Sequence, residues 1–248
     1  MPGRLAARAP SRRRYSAAAD RRFRLSREAA AEPVGLGTRR CLASATAASS
    51  VERVEAFESF VALAMEDEGL VVSSAVKFPV TRRTAKSGQA ETQTHGFEVD
   101  LVGANAKKLV LASVKSFFGS RGVVAEHVDG RTGGRQSRLY ALLNDPDVRD
   151  PVIAGACKRY GYAENHIEMR LYVGRFAGPT KGENERHVRD WAASTIVGSG
   201  PIKVVGAPEV VEVVRRVASS KQYRDDPALV ALKVLDATGH LKELPPTK

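Results

Sequence analysis

One stretch, residues 96–117, constrains this chain more than any other: G-F-E-V-D-L-V-G-A-N-A-K-K-L-V-L-A-S-V-K-S-F. Two short apolar runs, 97–103 and 109–117, flank Ala-Asn-Ala-Lys-Lys, a pattern that predicts two buried strands joined as a hairpin. Polar residues interrupt the runs at defined places. Side chains alternate along a strand, so Glu98 and Asp100 share one face of the first run, and Ser113 and Lys115 share one face of the second. Carboxylates then stand across from an ammonium in a region apolar enough to be core, where unpaired charge is costly. Two readings follow. Asp100 and Lys115 neutralise each other as a structural pair, or they border a cation site, since magnesium takes one or two carboxylates together with water and phosphate oxygens.

A chain of 248 residues has room for one or two domains with a proper core. Its net charge of +11 suggests a nucleic-acid partner until it is divided along the chain. Residues 1–50 hold eleven Arg, no Lys and three acidic residues, which leaves 28 basic and 25 acidic side chains for the rest. The basicity sits in an Ala/Arg-rich tail that has no apolar period and is expected to be disordered. Three readings of that tail stand side by side: a DNA-contacting arm, an organellar transit peptide, and a translated upstream region with Val51 as the alternative start. No apolar run is long enough to span a membrane. Cys41 and Cys157 give no disulfide framework, and a reducing cytoplasm is the expected location.

The folded body is expected from Ser49. Ser49 and Glu52 fit a capping box, and Gly69 supplies the stop of a helix whose apolar stripe is Val54, Val61 and Met65, flanked by Phe57, Phe60 and Ala64. Glu58 falls inside that stripe, an unusual place for a carboxylate. A strand ending at Pro79 follows, then a basic run with Arg82, Arg83 and Lys86 that reads as a loop able to hold a phosphate backbone. After Lys115 the glycines mark turns, and G-R-T-G-G-R lacks the G-K-[ST] ending of a phosphate loop. Gln136 and Tyr140 lie one turn apart on a predicted helix. Further on come a helix over 149–163, an alternating strand with Glu168, Arg170 and Tyr172 on one side, and a helix carrying Trp191. A short strand after Gly200 leads into a helix with Val211, Val214 and Val217 on its apolar side, and a last helix is capped by Asp225 or Asp226. Interleaved strands and helices place the chain in the α/β class.

The stretch around Asp100 resembles the core of the PD-(D/E)-x-K nuclease superfamily, the restriction-endonuclease-like proteins that include Mrr-type enzymes, Holliday-junction resolvases and RecB-type nucleases. The family's first Asp falls on Asp100, preceded here by Glu-Val rather than Pro. Its lysine falls on Lys115, with fourteen residues between the two. Ser113 stands where the family carries a second carboxylate, and a hydroxyl binds a divalent cation far less well. The resemblance implies a mixed β-sheet flanked by helices over 49–220, which leaves a helical extension over 221–248 and the tail over 1–48. It implies a metal-dependent nuclease with little base specificity, working with Mg2+ or Mn2+ on DNA and compatible with a homodimer. In this family the helix before the core strands often presents a Glu to the metal, which nominates Glu58, and Glu98 would help to replace the missing acid. The carbonyl of Val114 would be a further ligand, and Lys115 would orient the nucleophile. A Q-x-x-x-Y helix borders the DNA groove of RecB-type nucleases, and Gln136 and Tyr140 are similar to it in place and spacing. The rival reading keeps the fold and the groove for binding nucleic acid, with turnover lost at Ser113.

Other chemistries lack support. The five histidines make no i,i+4 pair around a Glu, two distant cysteines make no zinc cluster, and there is no G-x-S-x-G elbow.

Overall fold

The computed structural model describes residues 56–84, 91–178, 182–220 and 226–240. The tail, Ser49, Glu52, Val54 and Lys86 lie outside the described residues.

A helix, α1 (Ala56–Asp67), leads into a meander of β1 (Val71–Thr84), β2 (Glu91–Ala104) and β3 (Leu109–Lys115). Four short helical turns follow as α2 (Ala125–Val128), α3 (Gly134–Ser137), a 3-10 turn Arg138–Tyr140, and α4 (Ala141–Asn144), before the long α5 (Pro146–Tyr160). Then come β4 (Ile167–Val173), α6 (Glu183–Ser194), a two-stranded ribbon of β5 (Ile196–Val197) and β6 (Gly200–Pro201), and β7 (Lys203–Gly206). The last two helices are α7 (Ala207–Ser219) and α8 (Pro227–Ala237). The main sheet has the order β1-β2-β3-β4-β7. Its first two pairings are antiparallel, whereas β3, β4 and β7 run parallel, so the sheet is mixed.

Helices cover both faces. On one, Leu109, Leu111, Met169 and Leu171 of the sheet bury against Val128, Leu143, Val148 and Val152. On the other, Leu101, Val110, Ala112 and Val114 bury against Phe57, Val61 and Met65 of α1 and Val210 and Val214 of α7. A strand covered on both faces reads as a continuous apolar run, which is why β3 and β4 are so legible in the sequence.

Three expectations change. The basic run after Pro79 is not a loop as far as Thr84: β1 continues through Arg82 and pairs with β2 out to Thr84↔Glu91. Pro79 is tolerated because β1 is an edge strand, the place to which proline is confined within sheets. The Thr81 and Thr94 hydroxyls share a bond of 2.8 Å across the pair. On α7 the buried stripe is Val210, Val214, Val217 and Ala218, at i, i+4, i+7 and i+8, while Val211 is exposed. Helix α8 belongs to the same core, because its Leu229 is fully buried among α1 and α7 residues. Lys233 donates to the carbonyls of Ala218 and Ser220 at 2.9 and 2.6 Å, capping the end of α7. No helix among the described residues is long and apolar enough to cross a membrane.

Candidate functional site

The hairpin loop is closed by Asn105, whose Oδ1 accepts from the amides of Lys107 and Lys108. From there the β2–β3 ladder runs Ala104↔Leu109 to Leu101↔Ala112 and stops. The next position of β2 is Asp100, and its side chain takes over where the ladder ends. Oδ2 of Asp100 accepts from the Val114 amide at 2.6 Å, from Lys115 Nζ at 3.1 Å and from Ser113 Oγ at 3.3 Å. A carboxylate thus stands in place of a backbone acceptor, and the charge-assisted bond to Val114 keeps that amide satisfied as the strands part. On the opposite side, the β1–β2 register passes from Ser74↔Leu101 to Val76↔Val99 and leaves out Ala75 and Asp100. Ala75 there has φ of 52°, a left-handed conformation that costs a non-glycine residue on the order of 1 kcal/mol. Both neighbouring strands therefore release β2 at Asp100.

Lys115 also donates to the Val114 carbonyl, at 3.0 Å. Its ammonium and the Asp100 carboxylate are partly shielded, with side chains 17% and 23% exposed. They open onto a groove of about 530 Å³ whose lining includes Glu58, Asp100, Val114, Lys115, Phe118 and Leu139. Glu58 reaches it because Phe57, Val61, Ala64 and Met65 bury the adjoining side of α1 and fix the helix against the sheet. Phe57 meets the Phe118 ring edge-on, with centroids 5.3 Å apart, which ties α1 to the segment after Lys115.

Five of the residues named from sequence thus come together: Asp100, Lys115, Ser113, Val114 and Glu58. Glu98 does not line the groove. It lies across the pair from Lys77 and forms an ion pair with it at 3.4 Å. Gln136 and Tyr140 are separated rather than presented on one face: Gln136 is exposed, while Tyr140 is 2% exposed inside the core, where burial pushes its phenol up. The reason is the change of helix type between them, α to 3-10, which breaks the i,i+4 alignment. Arg82 is engaged by Asp145 at 2.6 Å, beside a polar hollow lined also by His95 and Arg138. The side chain of Arg83 lies outside the described residues.

Carboxylate oxygens, the donors that a hard cation takes, line this groove. All three bonds to Asp100 end on Oδ2, and Oδ1 carries none of them. Glu58 brings a second carboxylate to the same groove. Among the described residues no three Asp, Glu, His or Cys side chains form a ready cluster, and magnesium is satisfied by one or two carboxylates with water and phosphate oxygens.

A second charged cluster, whose partners were not foreseen, lies at the other end of β3 and β4. Arg170, 3% exposed, makes a fork of two 2.7 Å bonds to Glu68, and also bonds Glu168 at 2.6 Å and the Tyr172 hydroxyl at 2.8 Å. Lys203 and Lys108 reach Glu168 at 2.9 and 3.2 Å. Burial raises the Glu168 carboxyl, but the hydrogen bonds from Lys203 and Arg170 and the charges of Arg170 and Lys108 outweigh it and pull it down to about 2. Glu68 is likewise lowered, burial opposing and Arg170 prevailing. Three polar side chains at alternate places in an apolar strand were the signal; their partners come from distant segments. Every buried polar side chain there is satisfied, which gives this cluster a structural role.

Compared with models of known families, with curated proteins and with solved structures, the chain matches none.

Proposed function

We propose that this protein is a metal-dependent nuclease that hydrolyses phosphodiester bonds in DNA, built on a restriction-endonuclease-like α/β core and using Mg2+ or Mn2+. One observation carries the reading: Asp100 and Lys115 meet at 3.1 Å where β2 leaves β3, in a groove that Glu58 also lines. A purely structural ion pair has no need of an open groove, a second carboxylate on an adjacent helix, or a left-handed alanine beside it.

In this reading Oδ1 of Asp100 and the Glu58 carboxylate would hold the cation, which would supply an acidified water and offset charge on the phosphate. Lys115 supplies an ammonium to the attacking water or to a non-bridging phosphate oxygen, so that its positive charge meets the charge that develops. Water oxygen bonds to phosphorus, the bond from phosphorus to one bridging oxygen breaks, and the proton lost by water balances the one taken up by the leaving oxygen. Ser113 orients Oδ2 and adds no negative charge. Recognition through phosphate implies little base preference.

Plasmid nicking with magnesium or manganese tests this. Wild type nicks, and Asp100→Ala and Lys115→Ala do not; a wild type that leaves the plasmid intact under both metals contradicts the proposal.

Ser113 favours a second reading, a nucleic-acid-binding protein that has lost turnover. Its hydroxyl fills a 4% exposed place beside Asp100 where a carboxylate would strengthen the cation site. DNA binding without cleavage by wild type, together with cleavage gained in Ser113→Glu, selects that reading.

A further inference from the structure

We propose that the groove takes a strand with an unpaired base beside the scissile phosphate, and that an apolar annex built on Phe118 receives this base. The proposal rests on the nuclease reading and names the form of its substrate.

Between α1 and the start of α7 lies a hollow of about 400 Å³, lined chiefly by Phe57, Phe60, Phe118, Ala207 and Val211. Among the described residues no charged side chain lines it. Ser116 and Phe118 line both this hollow and the groove of Asp100 and Lys115, so the two adjoin. A phosphate drawn to Lys115 therefore has its neighbouring nucleoside beside Phe118. The annex offers that nucleoside nothing to pair with a phosphate and much to pair with a ring face.

Phe118 is 55% exposed, a large apolar surface to leave in water. It is nevertheless fixed: Phe57 holds it edge-on at 89°, and its Cζ lies over Gly174 where a Cβ would approach to 2.9 Å. Phe117, just before it, has φ of 45°, a conformation that L side chains rarely adopt and that turns the chain at this point. A rigid exposed aromatic beside a cationic groove is the arrangement on which unpaired bases stack, and stacking tolerates any base because each has a π-face. Bases inside a duplex are already stacked on both faces and cannot enter such a hollow without being extruded.

The test uses the full chain in EDTA and an oligonucleotide with 2-aminopurine, as a single strand and within a blunt duplex. Wild type binds the single strand about 5- to 150-fold more tightly than the duplex, the range of one base–aromatic stack, and quenches the probe. Phe118→Ala loses both effects and Phe118→Trp keeps them. Val211→Glu, at an exposed place on the other wall, has to give the same loss as Phe118→Ala. Equal affinity for the two forms, no quenching, or an unchanged preference in Phe118→Ala overturns the annex. Metal-dependent cleavage that shows no single-strand preference and survives in Phe118→Ala removes the annex and leaves the nuclease reading standing. Quenching by a wild type that cleaves no substrate keeps base binding and removes the nuclease reading.

Discussion

Asp100 has two tasks, and substitutions separate them. Asp100→Ala leaves the Val114 amide without its acceptor and costs about 1–3 kcal/mol of stability, seen in chemical denaturation. Asp100→Asn keeps an oxygen acceptor and removes the charge, so it stays closer to wild type in stability while losing metal affinity in calorimetry. Ser113 gives the converse case. Ser113→Asp puts a second carboxylate beside Oδ2 in a buried place, where like charges repel. In EDTA its Tm falls, by about 1–3 kcal/mol of stability, and manganese restores the loss; a Tm that ignores manganese contradicts the cation site. At this scale the sequence was most informative, because Asp100 and Lys115 belong to one hairpin and local pairing alone brings them together. Glu98 lies outside the groove lining for a related reason: alternation places a residue on a face, but Lys77 across the ladder pairs with it.

Elements carry the site through close backbone approach. Gly174, after β4, donates to the Lys115 carbonyl at 2.8 Å, and a Cβ there would come within 2.2 Å of the Ser116 carbonyl oxygen. Gly174→Ala has to displace the backbone next to Lys115, and a misplacement of that order costs roughly 100-fold in rate. Steady-state cleavage shows it, against a circular dichroism spectrum that keeps its α/β shape. At the opposite end of β4, the Arg170 cluster sets an acid limit on stability. Glu168 and Glu68 have folded-state pKa values below their unfolded ones, so the unfolded chain binds more protons at low pH. The contribution of Glu168 is complete above about pH 5 and is lost as the pH falls toward about 2, and that of Glu68 is lost in the same direction. Arg170→Met removes the guanidinium that joins Glu68 to Glu168, leaving Glu168 to Lys203 and Lys108, and costs at most about 3–5 kcal/mol at pH 7, with a smaller difference from wild type at pH 3, measured by urea unfolding. This cluster was only half legible: β4 announced its polar face, whereas Glu68, Lys108 and Lys203 lie on other segments that only the folded sheet gathers. The long β1–β2 hairpin was hidden for a different reason, since its outer part is held by backbone pairing and threonines and has no apolar alternation to read.

Over the whole molecule, the α/β class follows from interleaved apolar periods, and the two-sided burial of β3 and β4 confirms why those periods were so strong. What periodicity could not give was the boundary after residue 220, because α8 contributes one fully buried Leu229 and two carbonyl caps from Lys233 rather than a long stripe. Ending the chain at residue 220 therefore uncovers the α1–α7 core, and Leu229→Ala alone costs about 2–5 kcal/mol in thermal or chemical denaturation. The same packing holds α1, and with it Glu58, against the sheet, so the fold and the groove stand or fall together. The central claim is that Asp100 and Lys115 work on a cation and a phosphate rather than only on each other. Its most direct test is magnesium- and manganese-dependent cleavage of DNA by the wild-type chain, alongside Asp100→Asn and Lys115→Met checked for an unchanged fold. The account predicts cleavage by wild type and at least about 100-fold less by either variant; cleavage undiminished in both variants, or none by wild type with either metal, contradicts it.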